Sequence, residues 1–258
     1  MIGIFDSGVG GISIYRALVE NIPFTKLIYY SDQAHFPYGE KTESQIQQYA
    51  KEITDFLIQQ GAHMVVIACN SATISAIQFL RSNYTIPFIG TVPAIKPAAS
   101  ITKTGKIATL LTHAASNGCA YQELVSQWSE GVKVYSVQIP KVVHLVENNL
   151  MQLDDSMDYF FRILDDLEKM GVDTLVLGCT HFIFLRELIQ DHYGDKFFIM
   201  DPAIGVMNQA KKIYDTLQLP REVVESSFFT TGNVEKMEDF LAYHLPGFAG
   251  KVFPVASQ

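Results

Sequence analysis

The chain has 258 residues, 48% of them hydrophobic, enough for one large or two small domains with cores of their own. A formal charge of -8 supplies no basic face for neutralising phosphates, which excludes general nucleic-acid binding. Three cysteines, an odd number in so long a chain, fit a reducing compartment better than a disulfide scaffold, and no apolar run approaches the length of a membrane span. The N-terminal MIGIFDSG enters a strand directly rather than through a leader-like region, so a cytoplasmic protein with no membrane association is expected.

In chain order, residues 2 to 5 form a short first strand. The turn Asp6-Ser7-Gly8-Val9-Gly10-Gly11 then opens into a helix through about Glu20, offering amide donors to an anion. Lys26 to Ser31 is the next strand, followed by a loop with Asp32 and Phe36-Pro37-Tyr38-Gly39, and by a helix from about Ser44 to Gln60 with Ile46, Tyr49, Ile53, Phe56 and Leu57 on one face. The unalternating apolar run Met64 to Cys69 suits a central parallel strand covered on both faces, and it ends in a thiol. A helix from about Ala72 to Tyr84 and a strand Pro87 to Gly90 follow. Thr91-Val92-Pro93-Ala94 breaks the pattern and reads as a crossover.

From Lys106 the plan restarts. Strand Ile107 to Leu111 leads to Thr112-His113, a helix runs through Tyr121 to about Trp128, and Val132 to Val137 is a strand. Pro140 to Asn148 carries Glu147, and a helix from about Ser156 to Met170 precedes a second strand ending in a thiol, Cys179. A helix from Phe184 to about His192 and a strand Phe197 to Met200 lead to Asp201-Pro202-Ala203-Ile204, an echo of Thr91 to Ile95. The tail holds helices at Asn208 to Leu217 and Val234 to His244 and strands at Val223 to Thr230 and Val252 to Val255. Landmarks repeated in the same order signal duplication. The expected fold is therefore α/β: two pseudo-two-fold related α/β domains with mainly parallel sheets, the active site lying in the cleft between them. The tail crosses back, so that residues 1–93 and 208–258 form the first domain and 94–207 the second.

Residues just past the C-terminal ends of parallel strands are where α/β proteins place their chemistry. Cys69 is followed by Asn70-Ser71 and Cys179 by Thr180-His181, whereas Cys119 falls mid-helix and reads as an inert small hydrophobe. Two thiols in equivalent settings suit a disulfide switch or a racemisation, in which one removes a proton from one face of a carbon and the other delivers a proton to the opposite face. A thiol reference pKa of about 8.5 serves both duties. Asp6 is either a helix cap or a carboxylate bordering Cys69; Glu147 is either a surface charge or a helper in the second half; His181 either caps a helix or serves Cys179. Tyr38-Gly39 is either turn chemistry or part of the site. Asn70, Ser71, Thr180 and the amides after Asp6 are donors for a substrate carboxylate. The sequence contains no metal-ligand cluster, phosphate loop or dinucleotide fingerprint, so no metal and no cofactor is expected.

The runs IFDSGVGG, YYSDQAHFPYG, ACNSAT, GCTHF, MDPAIG and FFTTGN, spread in order over nearly the whole chain, resemble the bacterial glutamate racemases of the cofactor-independent aspartate/glutamate racemase superfamily. The resemblance implies a second domain inserted in the first, a homodimer, and supply of D-glutamate for peptidoglycan. It implies Cys69 and Cys179 as the catalytic thiols, serving the D- and L-enantiomers respectively, with Asp6, Glu147 and His181 as polar helpers. Asp6, Ser7, Tyr38, Gly39, Asn70, Ser71, Thr180 and His181 would hold the substrate. The chain departs from the family in Ser71, which keeps the usual hydroxyl, and after Thr112, where Ala115 and Gly118 replace hydroxyl residues and Ser116 is the available substitute.

Overall fold

A computed structural model describes residues 1–23, 25–151, 154–219, 225–248 and 250–256. The chain divides into two compact units, Met1–Thr91 with Ala203–Gln258, and Val92–Pro202. The return to the first unit falls at Ala203, five residues before the expected 208.

The first unit is built from β1 (Ile2–Asp6), α1 (Ile12–Asn21), β2 (Leu27–Ser31), α2 (Glu43–Gln59), β3 (Met64–Ile67), α3 (Asn70–Asn83) and β4 (Phe88–Gly90). The second holds α4 (Ile95–Ile101), β5 (Lys106–Leu111), α5 (His113–Asn117), α6 (Cys119–Trp128), β6 (Lys133–Gln138), α7 (Pro140–Glu147), α8 (Asp154–Lys169), β7 (Thr174–Leu177), α9 (Arg186–Tyr193) and β8 (Phe198–Met200). The first unit then resumes with α10 (Ala203–Thr216), β9 (Ser227–Thr230), α11 (Val234–His244) and β10 (Val252–Pro254).

Both sheets are parallel, ordered β10-β9-β2-β1-β3-β4 and β6-β5-β7-β8. The four strands β2-β1-β3-β4 thus repeat as β6-β5-β7-β8, and the tail adds β9 and β10 to the first sheet alone. In each sheet the thiol strand lies beside the unit's first strand, in matching register. The residue after β3 donates its amide to Phe5 O at 2.8 Å, and the residue after β7 donates to Leu110 O at 2.9 Å.

Burial on both faces explains the unalternating strands. All residues of β1, β3 and β7 are buried, and each fully buried aliphatic side chain contributes roughly 1.5–3 kcal/mol. Helix α2 lays Ile46, Ala50, Ile53 and Leu57 on the sheet. A capping box starts it: Thr42 Oγ1 accepts from Gln45 N at 3.3 Å, and Gln45 Oε1 accepts from Thr42 N at 3.0 Å. The core around Phe5, Val65 and Ile67 reaches Cys69 through Ala72 and Ala76. No described helix is long and apolar enough to cross a membrane.

Several expectations need correction. Cys119 is the first residue of α6 and exposed, not mid-helix. The segment carrying Glu147, given no element from the sequence, is a helix, α7, that ends at Glu147 and has Pro140 at its start, where a missing N–H costs nothing. After Cys179 the chain makes a 3-10 turn over Thr180–Leu185 before α9 begins at Arg186, so the expected start at Phe184 lies inside that turn. Of the strand expected from Val223, the first two positions lie outside the described residues and the strand begins at Ser227.

Gly178 is required by packing. A Cβ there would lie 2.7 Å from Leu110 O and 2.5 Å from Leu111 Cδ2, and the carbonyl belongs to the β5 backbone that pairs with β7. Gly178→Ala is expected to lower unfolding stability by about 1–3 kcal/mol in urea denaturation.

Candidate active site

In the first unit the candidate residues gather at the C-terminal ends of β1, β2 and β3. Asp6 closes β1 and is fully buried; its Oδ1 accepts from Gly8 N at 2.8 Å, fixing the turn that carries Ser7. Gly11, at the head of α1, lets that turn press on the sheet, since a Cβ there would meet Ala68 Cβ at 2.7 Å and Tyr29 Oη at 2.9 Å. Tyr29 Oη in turn donates to Gly8 O at 2.8 Å.

Cys69 is the N-cap of α3 and buried. Its sulfur accepts from Ala72 N at 3.4 Å and lies 3.9 Å from Ser7 Oγ. A 14-residue helix therefore directs a free amide and its positive end at this sulfur, an arrangement that favours negative charge there. Asn70 and Ser71, the first two residues of the helix, are buried beside it. Both polar atoms of the Asn70 side chain are buried with no protein partner. An unsatisfied buried amide costs about 1–3 kcal/mol, so this group is suited to a ligand that both donates and accepts.

Tyr38 is buried in the same core cluster as Cys69, and its hydroxyl donates to Asp32 Oδ2 at 2.6 Å. Burial, then the charge and hydrogen bond of Asp32, then the charges of Cys69 and Asp6, hold its phenol protonated well above the ordinary tyrosine range. Gly39 follows within a 3-10 turn, Tyr38–Glu40.

In the second unit Cys179, Thr180 and His181 are buried where β7 gives way to the 3-10 turn. His181 Nδ1 lies 3.8 Å from Cys179 Sγ, and Nε2 donates to Glu147 Oε2 at 2.7 Å, so the imidazole is held between sulfur and carboxylate. Burial by itself would lower the His181 pKa. The hydrogen bonds to Cys179 and Glu147 and the charges of the same two groups outweigh burial and raise it well above 6.5. Helix α7 delivers Glu147 from outside the β7 turn, and the two segments pack together.

The two thiols thus occupy the same topological place with different support. Cys69 faces a helix N-terminus, and Cys179 faces a histidine steadied by a carboxylate. After β5, Thr112 accepts from Ala115 N at 3.3 Å, while Ser116 Oγ donates to His113 O at 2.9 Å and accepts from Gln138 Nε2 at 2.6 Å. Ser116, the expected substitute hydroxyl, is therefore engaged within its own unit.

Asp32 went unassigned in the sequence. Its carboxylate accepts from Tyr38, from Thr231 Oγ1 at 3.0 Å and from His35 Nδ1, 2.9 and 3.0 Å from its two oxygens. The spacing of Asp32, His35 and Tyr38 on one irregular loop is the local signal that could have found it; Thr231 left none. Among the described residues, no three His, Cys, Asp or Glu side chains are grouped as a metal centre requires.

Comparison with known proteins agrees in both sequence and structure. The family model for Asp/Glu/Hydantoin racemase matches residues 2–209. A glutamate racemase of Herpetosiphon aurantiacus is 38% identical over 212 residues, 82% of this chain and 84% of that protein. One from Clostridium perfringens is 35% identical over 235 residues, 91% and 88% of the two chains. Among solved structures, glutamate racemase isoform RacE1 from Bacillus anthracis superposes with a TM-score of 0.88 at 29% identity, covering 99% of this chain and 97% of that one. The Escherichia coli glutamate racemase in complex with L-glutamate and the activator UDP-MurNAc-Ala gives the same TM-score, identity and coverage. With a family match over most of its length, relatives above 30% identity and a shared two-sheet fold, the chain belongs to the Asp/Glu/Hydantoin racemase family.

Proposed function

We propose that this chain interconverts L- and D-glutamate with Cys69 and Cys179 as the two proton-transfer groups and without a cofactor. The observation that carries the reading is the matched placement of the two cysteines, each two residues past its strand, β3 or β7, in sheets of the same strand order, and each with polar partners at its sulfur. The names of the relatives supply the amino acid.

In the L-to-D direction Cys179, as the thiolate, removes the α-proton. The S–H bond forms as the C–H bond breaks, and the electron pair remains on the α-carbon, spread into the carboxylate. Cys69, as the thiol, gives its proton to the opposite face and is left as a thiolate. The D-to-L direction exchanges the roles. His181 supports the first step by keeping a proton beside the Cys179 sulfur, and Glu147 keeps the imidazole in register. Ser7 and the α3 amide serve Cys69. Asn70, Ser71, Thr180, Tyr38-Gly39 and the amides after Asp6 hold the substrate, with Asp6 fixing the last of these through Gly8. The product fits a role in providing D-glutamate for peptidoglycan. A cytoplasmic homodimer completes the reading, which sedimentation velocity would check.

In deuterated water with no added cofactor, L-glutamate is expected to lose its α-proton NMR signal while its circular dichroism decays, with aspartate turned over far less. Glutamate that stays protonated and chiral would contradict the proposal. Replacing either thiol, Cys69→Ala or Cys179→Ala, is expected to lower racemisation by at least about 100-fold; appreciable turnover in either variant would show that the two do not work as a pair. For His181 the folded-state pKa lies above its unfolded value near 6.5. Its contribution to stability is therefore fully present below about pH 6.5 and is lost as pH rises through the elevated folded-state value. Urea denaturation across that window should show the advantage of wild type over His181→Asn shrinking as pH increases, and an advantage that grew with pH would refute the assignment.

A further inference from the structure

The stretch Thr230-Thr231-Gly232 has no part in the two-thiol chemistry, yet it binds the loop after β2 residue by residue. Ser31 O accepts from Thr231 N at 3.1 Å. Thr231 Oγ1 accepts from Ala34 N at 2.9 Å and donates to Asp32 Oδ1 at 3.0 Å. Thr230 Oγ1 donates to Gln33 Oε1 at 2.8 Å and accepts from Gly232 N at 2.9 Å. A Cβ on Gly232 would lie 2.5 Å from Gln33 Oε1 and 2.6 Å from Gln33 Cβ, so the glycine leaves room for the Gln33 side chain against it.

The Thr231 hydroxyl reaches a group, the Asp32 carboxylate, that continues toward the site. Asp32 is 2% exposed, and the oxygen not held by Thr231 accepts the Tyr38 hydroxyl at 2.6 Å. His35 straddles both oxygens and stacks on Tyr49, with ring centroids 3.8 Å apart, which blocks rotation of the carboxylate from the other side. A cavity of about 60 Å³ lies against this carboxylate, lined by Asp32, His35, Tyr49, Glu52 and Thr231 among others. If the Thr231 hydroxyl is removed, water from this cavity can solvate Asp32 and compete for it with Tyr38.

We infer that Thr231 is a positioning residue for the substrate, acting through Asp32 on Tyr38 and so on the Tyr38-Gly39 segment. The inference rests on the racemase reading for the role of that segment, but its own claim is the coupling of Thr231 to Tyr38. Because the lever works on a binding segment rather than on either sulfur, its loss is read mainly in KM.

The test compares wild type, Thr231→Val, Thr231→Ser, Tyr38→Phe and the double variant Thr231→Val/Tyr38→Phe, with glutamate as substrate. Thr231→Val is expected to raise KM by about 3- to 10-fold, the size of one lost hydrogen bond, with a smaller change in kcat. Thr231→Ser restores wild-type KM. The double variant is no worse than Tyr38→Phe alone, because both changes break one chain of contacts. An unchanged KM in Thr231→Val, single effects that multiply in the double variant, or a Thr231→Val protein that fails to fold would each overturn the inference, the last by making the hydroxyl a stability element. A wild type that does not racemise glutamate defeats the earlier reading instead, and calorimetric glutamate affinities of the same five proteins then decide the coupling.

Discussion

A sulfur atom placed at the end of a strand covered on both faces has lost most of its water, and an anion there must be answered by fixed dipoles or charges. The architecture around both thiols follows from that requirement. Parallel strands can be buried on both faces because their neighbours satisfy every backbone group along their length. At the strand's C-terminal end that supply stops, the chain turns, and fresh amides become available. Cys69 stands at such a turn with Ala72 N directed at it, and Cys179 at its counterpart.

The two solutions differ because the turns differ. At Cys69 an α-helix starts at once, so its N-terminal amides are aimed and its dipole is present. At Cys179 the chain first makes a 3-10 turn, and the sulfur has no side-chain capping role there. The missing helix is replaced by His181, held between sulfur and carboxylate by Glu147 from α7. The same strand order therefore carries a dipolar partner in one unit and an ionisable one in the other. A pH-dependent component of stability is accordingly built into the second unit's thiol environment.

How much of this could be read in the sequence depended on the range of the interactions involved. Apolar runs such as Met64–Ile67, and Leu175 to Leu177 after Thr174, declare strands buried on both faces, and the second residue after each run is the thiol. Asp6 and His181 were legible because they lie close in sequence to a strand end or a cysteine. The sequence assigns no element to the segment of α7, since Pro140 and the valines Val142, Val143 and Val146 suit a strand edge as well as a helix start. The Asp32 hub was also hidden: one of its partners, Thr231, lies 199 residues away and is brought in only by the pairing of β9 with β2. Cys119 was misplaced because the N-cap of α6 is Gly118, which has no side chain to announce the helix start.

That pairing of β9 with β2 has a consequence for synthesis on the ribosome. Strand β2, LIYYS, is buried along its whole length once folded, but its outer partner lies near residue 230. Until that partner emerges, the first sheet presents an unpaired apolar edge, while the segment for the whole of the second unit has already been made. The second unit can therefore complete its folding first, and the first unit passes through an interval in which β2 is open to pairing with the wrong strand. The order of the chain, more than the strength of any one contact, sets the moment at which this protein is most exposed to aggregation.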